Sequence, residues 1–113
     1  MNKYEEAQDT KTSPKRLAHL AKDSDVDVRW GVTLNTSSPP DVLAHLAKDS
    51  DAEVRRGVAY NASSPPNALA HLAKDSDASV KHRAIQSIYR HPDIPQEAKD
   101  MYYILTGIEK GEE

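Results

Sequence analysis

Serine, histidine and aspartate recur together at a fixed spacing in this chain, and these are residue types from which hydrolytic and metal-binding sites are built. The string LAHLAKDSD occurs three times, beginning at Leu17, Leu43 and Leu69, so His19, His45 and His71 repeat every 26 residues. A histidine ladder suggests a divalent metal. Geometry opposes it: adjacent helical layers lie roughly 8–10 Å apart, whereas a Zn–N bond is about 2.0–2.1 Å long. Equivalent histidines therefore struggle to share one ion, and the ladder is read as a solvated face with no metal site. Catalysis is set aside on related grounds. A reaction centre would be a singular constellation breaking the repeat, and none is read here. The chain has no phosphate-binding glycine loop and no H-E-x-x-H zinc motif. No cofactor is implied, and the chain is expected not to be an enzyme.

Two further sets of residues carry chemistry. Asp23, Asp49 and Asp75 run in register with Arg29, Arg55 and Lys81. On a helical wheel Arg55 falls between the inward residues Val58 and Ala62, and a partly buried guanidinium needs a carboxylate or carbonyl partner. The expected role is structural, an Asp–Arg hydrogen-bond ladder tying each unit to the next. The other set is a stripe expected to point away from the core. It reads Asp27, Trp30, Gly31 and Leu34, then Glu53, Arg56, Gly57 and Tyr60, then Ser79, His82, Arg83 and Gln86. The stripe changes between the first two copies while the framework hardly does. Glycine inside a helix costs about 1 kcal/mol against alanine, and close approach by another backbone is one reason to keep it.

Trp30, Leu34, Arg56 and Tyr60 have the composition of an interface hot spot. Together with His82 and Gln86 they are the candidate partner-binding residues, and the expected partner is a protein or peptide. The plainer reading makes them ordinary surface residues, with Trp30 and Tyr60 packed on neighbouring helices. A second functional reading is nucleic-acid backbone binding, since Arg29, Arg55, Arg56, Lys81, His82, Arg83 and Arg90 gather on the second helices and could track phosphates. Asp27 and Glu53 on the same stripe count against it.

Those residues must be held by something, and composition limits what. The chain has 113 residues, a formal net charge of −3, 37% apolar and 29% charged residues, five tyrosines, one tryptophan, and neither phenylalanine nor cysteine. The length fits one domain. With so few large rings, Ala, Leu, Val and Ile must fill the core, which favours thin helical layers. Absent cysteine, disulfides and thiolate-ligated metals are excluded. No apolar run approaches the roughly 20 residues of a membrane span, and no signal peptide is read, so no membrane association and cytoplasmic residence are expected.

The repeat supplies the architecture. Unit 17–42 and unit 43–68 match at 18 of 26 positions, and unit 69–94 begins identically and then drifts. Self-similarity at this period marks a stacked array, in which no unit buries its apolar face alone. Each unit holds two helical segments. The first follows the prolines, with Pro39 and Pro40 at its start and Ser38 as a candidate cap; Leu43, Leu46 and Ala47 share its inner face, and it is short enough to be partly 3₁₀. The second starts at the DSD, with Ser50 and Glu53 as a capping box and Ser24 with Asp27 as a variant. Val54, Val58, Ala59 and Ala62 make its inward stripe, and Asn35 and Asn61 near its end suit left-handed geometry. No strand is predicted. Residues 2–9 read as a worn half-repeat, because Tyr4 aligns with Trp30 and Pro14 with Pro40. Residues 96–108 read as an amphipathic helix with Ala98, Met101, Tyr102, Leu105 and Ile108 on one side and Gln96, Lys99 and Asp100 on the other. Both ends are expected to present a polar outer face, and the chain reads as complete.

The unit LAKDSDAEVRRGVAYNASSPPNAL closely resembles the leucine-rich repeat variant family. Leu46, Ala47, Asp49, Val54, Arg55, Val58, Ala59, Asn61, Ser64, Pro65 and Leu69 match its pattern, and the third unit departs after Val80. The D-x-x-V-R portion is also similar to HEAT repeats. The resemblance covers about residues 12–94. It implies an all-α, right-handed α-solenoid of about three 26-residue helical repeats (17–42, 43–68 and 69–94) with capping helices in 1–16 and 95–113, forming a single domain. It also implies an α-helix alternating with a second helix that is often 3₁₀, no shared enzymatic activity and a bacterial source. An iron–sulfur cluster carried by one family member sits on a cysteine-rich segment that has no counterpart here.

Overall fold

Two start signals alternate along the chain, and each launches its own kind of helix. In the computed structural model, which describes residues 1–106, they give eight α-helices and no strand among the described residues. The order is α1 (Lys3–Gln8), α2 (Pro14–Leu20), α3 (Val26–Thr33), α4 (Pro40–Leu46), α5 (Ala52–Tyr60), α6 (Pro66–Leu72), α7 (Ala78–Arg90) and α8 (Gln96–Thr106).

Proline starts α2, α4 and α6. Pro14, Pro40 and Pro66 occupy the first helical position, where the missing N–H would have had no partner anyway. Pro39 and Pro65, the N-cap residues before Pro40 and Pro66, are themselves extended, at φ −65° and ψ 152° and at φ −74° and ψ 156°. All three helices are α rather than 3₁₀ and are seven residues long. Ser38 does not cap α4. It is buried, and its hydroxyl donates to the Val32 carbonyl at 2.7 Å, as Ser64 does to Val58 at 2.6 Å and Thr12 to Glu6 at 2.6 Å. A side-chain cap occurs only where serine stands in the proline's place: Ser13 accepts from the Arg16 amide at 3.1 Å.

Aspartate starts α3, α5 and α7, and here the expected Ser50–Glu53 and Ser24–Asp27 boxes are displaced by one residue. Asp51 is the N-cap, accepting from the amides of Glu53 (2.8 Å) and Val54 (3.3 Å); Asp77 likewise takes two amides, and Asp25 takes that of Asp27. The reason lies one step upstream. Asp49 Oδ1 accepts the Asp51 amide at 3.0 Å, so Ser50 is the middle of an Asx turn and stands outside the cap. Each DSD thus closes a turn with its first aspartate and opens a helix with its second. The one capping box joins Asn2 and Glu5 at the start of α1.

The core follows the doublets of the repeat. Leu17, Leu20, Leu43, Leu46, Leu69 and Leu72 are each no more than 2% exposed and meet Val32, Val54, Val58 and Val80 from the other layer. Each such leucine contributes about 1.5–3 kcal/mol by leaving water. The aspartate-started helices pack in series, with α1 before them: α1 on α3, α3 on α5 and α5 on α7, in a body of 45 × 25 × 24 Å. Ala62 is exposed, not inward, because α5 ends at Tyr60 and the backbone has already turned away.

The two ends differ. At the first, Glu6 and Arg16 stand one period before the buried Val32 and Val42, and form a two-pronged ion pair (Nε–Oε2 2.9 Å, Nη2–Oε1 3.0 Å) where the interior units have apolar contact. At the second, α8 keeps Ala98 and Tyr102 half-buried, but Met101, Tyr103 and Ile104 are exposed and Lys99 is half-buried. The expected division of that helix into an apolar inner side and a polar outer side is therefore not what the described residues show. Ile108, on the predicted inner side, lies outside them. The last proline-type start, Pro92, is preceded by no serine or proline. With the turn residues Asn61-Ala62-Ser63-Ser64 replaced by Ser87-Ile88-Tyr89-Arg90, α7 runs on to 13 residues where α5 has nine.

Candidate functional site

The joints between successive units fix what is left for function. Arg29 donates to Asp49 through Nε (2.9 Å) and Nη2 (3.3 Å) and to the Asp23 carbonyl through Nη1 (2.8 Å). Arg55 repeats this with Asp75 (2.8 and 3.2 Å) and the Asp49 carbonyl (2.8 Å). The in-register expectation is corrected in one respect: each arginine takes the carboxylate of the following unit and only a backbone oxygen of its own. The bonds raise the pKa of both guanidiniums further. Burial pushes the Asp75 carboxyl up, but Arg55 and the Asp77 amide together hold it below the usual carboxylate range. Lys3 occupies the arginine position one period earlier and reaches Asp23 at 3.0 Å; the Asp25 amide and then Lys3 lower that carboxyl. At Lys81 the ladder stops, since Met101 stands where the next aspartate would be.

Asparagine makes the second joint. The Asn35 amide nitrogen donates to the carbonyls of Ala7 and Asp9, both at 2.9 Å, and the Asn61 amide nitrogen to those of Thr33 (2.7 Å) and Asn35 (3.0 Å). Their oxygens accept the amides of Ser37 and Ser63. Left-handed geometry is not their purpose. Asn61 is extended, with φ −76° and ψ 122°, and each asparagine is a clamp across two units.

Glycine makes the third joint. Gly31 and Gly57 are buried, contrary to their expected place on the outer stripe. A Cβ on Gly31 would sit 3.1 Å from the Ala7 Cβ and 3.4 Å from the Tyr4 carbonyl; one on Gly57 would fall 2.0 Å from Thr33 Oγ1. Close approach does explain both glycines, through backbone and side chain at the first and a side chain alone at the second.

With these positions occupied, a ridge remains on the outer edge of the aspartate-started helices. Tyr4 and Trp30 stack with ring centroids 6.3 Å apart and planes 10° from parallel, leaving Trp30 half-buried. Arg56, the next residue in that column, is half-buried, paired with Glu53, and donates to Ser79 Oγ at 3.3 Å. His82 ends the column, exposed. The parallel column holds Leu34 (42% exposed), Tyr60 (58%) and the half-buried Gln86. The structure therefore brings the six candidate residues into two adjacent columns, with Leu34, Tyr60 and His82 the most open. Both flanks of Trp30 are hollow. One depression, of about 290 Å³, is lined by Val26, Asp27, Trp30, Asp51 and Glu53; the other, of about 310 Å³, by Tyr4, Asp25, Asp27 and Trp30.

No family model, curated protein or solved structure matches this chain. The site is accordingly argued from its own geometry. His19, His45 and His71 are all exposed, and no group of three or more His, Asp or Glu residues gathers to hold a metal among the described residues. No helix among them is long and apolar enough to cross a membrane.

One feature escapes a reading by repeat position alone. Where the third unit departs from the others, a pocket of about 180 Å³ opens between α5 and the lengthened α7. Arg83, which replaces the buried glycine, lies over the Tyr60 ring with its guanidinium carbon 4.1 Å from the centroid. Ser87, which replaces the asparagine, keeps only one of its two clamps, donating to the Ala59 carbonyl at 2.6 Å. The signal was in the sequence: the loss of glycine, asparagine and serine together at 83, 87 and 90.

Proposed function

We propose that this protein is a non-catalytic scaffold, a right-handed solenoid of the leucine-rich-repeat-variant type, that binds another protein or a peptide along the ridge formed by Trp30, Leu34, Arg56, Tyr60, His82 and Gln86. The observation that carries this reading is the pair of exposed apolar side chains, Leu34 and Tyr60, one above the other in adjacent units beside the Tyr4–Trp30 stack. Large apolar groups in a row, flanked by hollows, suit the anchors of a protein interface. The framework supports it too. Arginine, asparagine and glycine positions are consumed by joints, so variation in the ridge leaves the stack unharmed. The carboxylates of Asp27, Asp51 and Glu53 beside Trp30 favour a protein partner over a phosphate backbone, which they would repel. Arg29, Arg55 and Arg56 are each matched to a carboxylate, which removes them from phosphate binding.

Site-specific photo-crosslinking tests the assignment. A benzoylphenylalanine at position 34 is expected to capture a discrete partner in cells, and one at position 45, on the proline-started layer, is not. Equal capture from both positions, or from neither, rejects the ridge. Nucleic acid crosslinked at position 34 and released by salt would replace the protein partner with the phosphate-backbone alternative.

A further inference from the structure

We propose that the pocket between α5 and α7 is a second binding site, adjoining the ridge at Tyr60, and that it takes the C-terminal carboxylate of a peptide whose last residue has a small apolar side chain. Three observations combine. First, the charge is reversed locally. The chain carries 18 acidic and 15 basic residues, yet the pocket is lined by Arg83, Arg90 and His91 and by no carboxylate. Second, Arg83 is held and uncommitted. Arg16, Arg29 and Arg55 each spend their forked donors on a carboxylate. Arg83 instead has its guanidinium carbon over the Tyr60 ring, which holds the group at the pocket, and its Nε is buried without a hydrogen-bond partner. Buried donors left unpaired are uncommon in folded proteins, and a guanidinium fork matches a carboxylate in two-pronged geometry. Third, Ala62, Leu69 and Pro92 give the wall an apolar part, beside Tyr60, Asn61 and Ser87.

That last point selects the ligand. Bare phosphate is strongly hydrated and has nothing to gain from an alkyl wall, whereas a carboxylate on an aliphatic stem satisfies both halves of the pocket. About 180 Å³ is close to the cavity size known to admit one benzene, which suits a single residue rather than a nucleotide. His91 fits the same role. Its Nδ1 accepts the Asp93 amide at 3.1 Å, so the neutral ring carries its proton on Nε2, as a donor. The site exists because the repeat fails here. Glycine at position 83 would remove the guanidinium that lies over Tyr60, and asparagine at position 87 would add the bulk and the second clamp that the shorter serine lacks.

Titration of the full chain, followed by NMR at the Arg83 Nε–H, tests this with acetyl-Ala-Val, its C-terminal amide, isovalerate and inorganic phosphate. The peptide acid is expected to shift that resonance saturably and to bind at least tenfold more tightly than each of the other three. Arg83→Gln, with unchanged circular dichroism, should abolish the preference for acid over amide. Arg83→Lys, which keeps the charge without the fork, should lose most of it. Equal binding of acid and amide would show an apolar pocket without anion recognition and overturn the proposal. Equal or tighter binding of isovalerate or phosphate would overturn the peptide assignment, and a silent Arg83 resonance in the wild-type chain would remove the site altogether. None of these readouts depends on the ridge binding a partner.

Discussion

The joint between α3 and α5 and the joint between α5 and α7 occupy the same repeat positions and end in opposite states. At the first, Gly57 lets Thr33 lie where a Cβ would be, and Asn61 bridges two carbonyls of the preceding unit. At the second, Arg83 stands in the glycine's place and reaches over Tyr60, and Ser87 holds one carbonyl. One joint is closed by small and amide side chains; the other is open and charged. The comparison teaches that these positions decide between cohesion and chemistry, while the apolar doublets beneath are common to both.

Substitutions at matched positions should therefore have unmatched effects. The largest belongs to Gly57→Ala. Its Cβ would fall 2.0 Å from Thr33 Oγ1, and overpacking of that kind costs about 3 kcal/mol, at the upper end of the usual range. Arg83→Ala should cost under about 1 kcal/mol, since the cation–π contact of a half-buried arginine, of about that order, is offset by alanine's helix propensity. Urea unfolding followed by circular dichroism measures both, and equal losses would show that the two joints do not differ in packing.

Asn61→Ala comes next. It strips the Thr33 and Asn35 carbonyls of a donor, at a cost of about 2–3 kcal/mol, against about 1 kcal/mol for Ser87→Ala, which strips one. Arg55→Leu follows at about 2 kcal/mol. The Asp75 side chain, only 6% exposed, would lose its charge partner. Lys81→Leu, at the end of the ladder, should stay within about 0.5 kcal/mol. An Arg55→Leu protein as stable as wild type would remove the structural role assigned to the ladder.

The smallest effect is in the acid limb. Asp75 titrates lower in the folded chain than in the unfolded one. Below the ordinary carboxylate pKa of about 3.9 the unfolded state takes up the proton first. The stabilisation from Asp75 is thus complete above that pH and is lost as pH falls through the lower folded value. Asp75→Asn should flatten this part of the stability profile and lower the neutral region without changing its slope. An unchanged acid slope would mean that other carboxylates govern it.

Much of the framework was legible in the residues because each feature had a local cause. Proline at 14, 40 and 66 and the leucine doublets specify where the first helices start and which face they bury. The need of Arg55 for a carboxylate identified the ladder before its partners were known. What failed depended on neighbours in space. Ser50 looks like a cap until Asp49 is seen closing the turn around it. Asn61 looks like a helix terminator until carbonyls from 26 and 28 residues earlier arrive at its amide. Gly31 and Gly57 fall on the outer side of an isolated wheel, because a wheel has no neighbouring helix on its flank. The candidate ridge was visible as composition, and its two-column arrangement was not. The pocket at Arg83 was hidden for another reason: attention to what the copies share passes over what the third one lost.

The offset ladder has a consequence for the protein's length. The hydrogen bonds that residues 43–68 make with the unit before them end on groups they also offer to the unit after: an arginine fork at 55 and backbone oxygens at 59, 61 and 62. A duplicate of that block, spliced in after Ala68, would find Arg55 waiting for its aspartate and the smaller Ala59 facing its glycine. By this geometry the molecule could grow from the middle without a newly shaped seam.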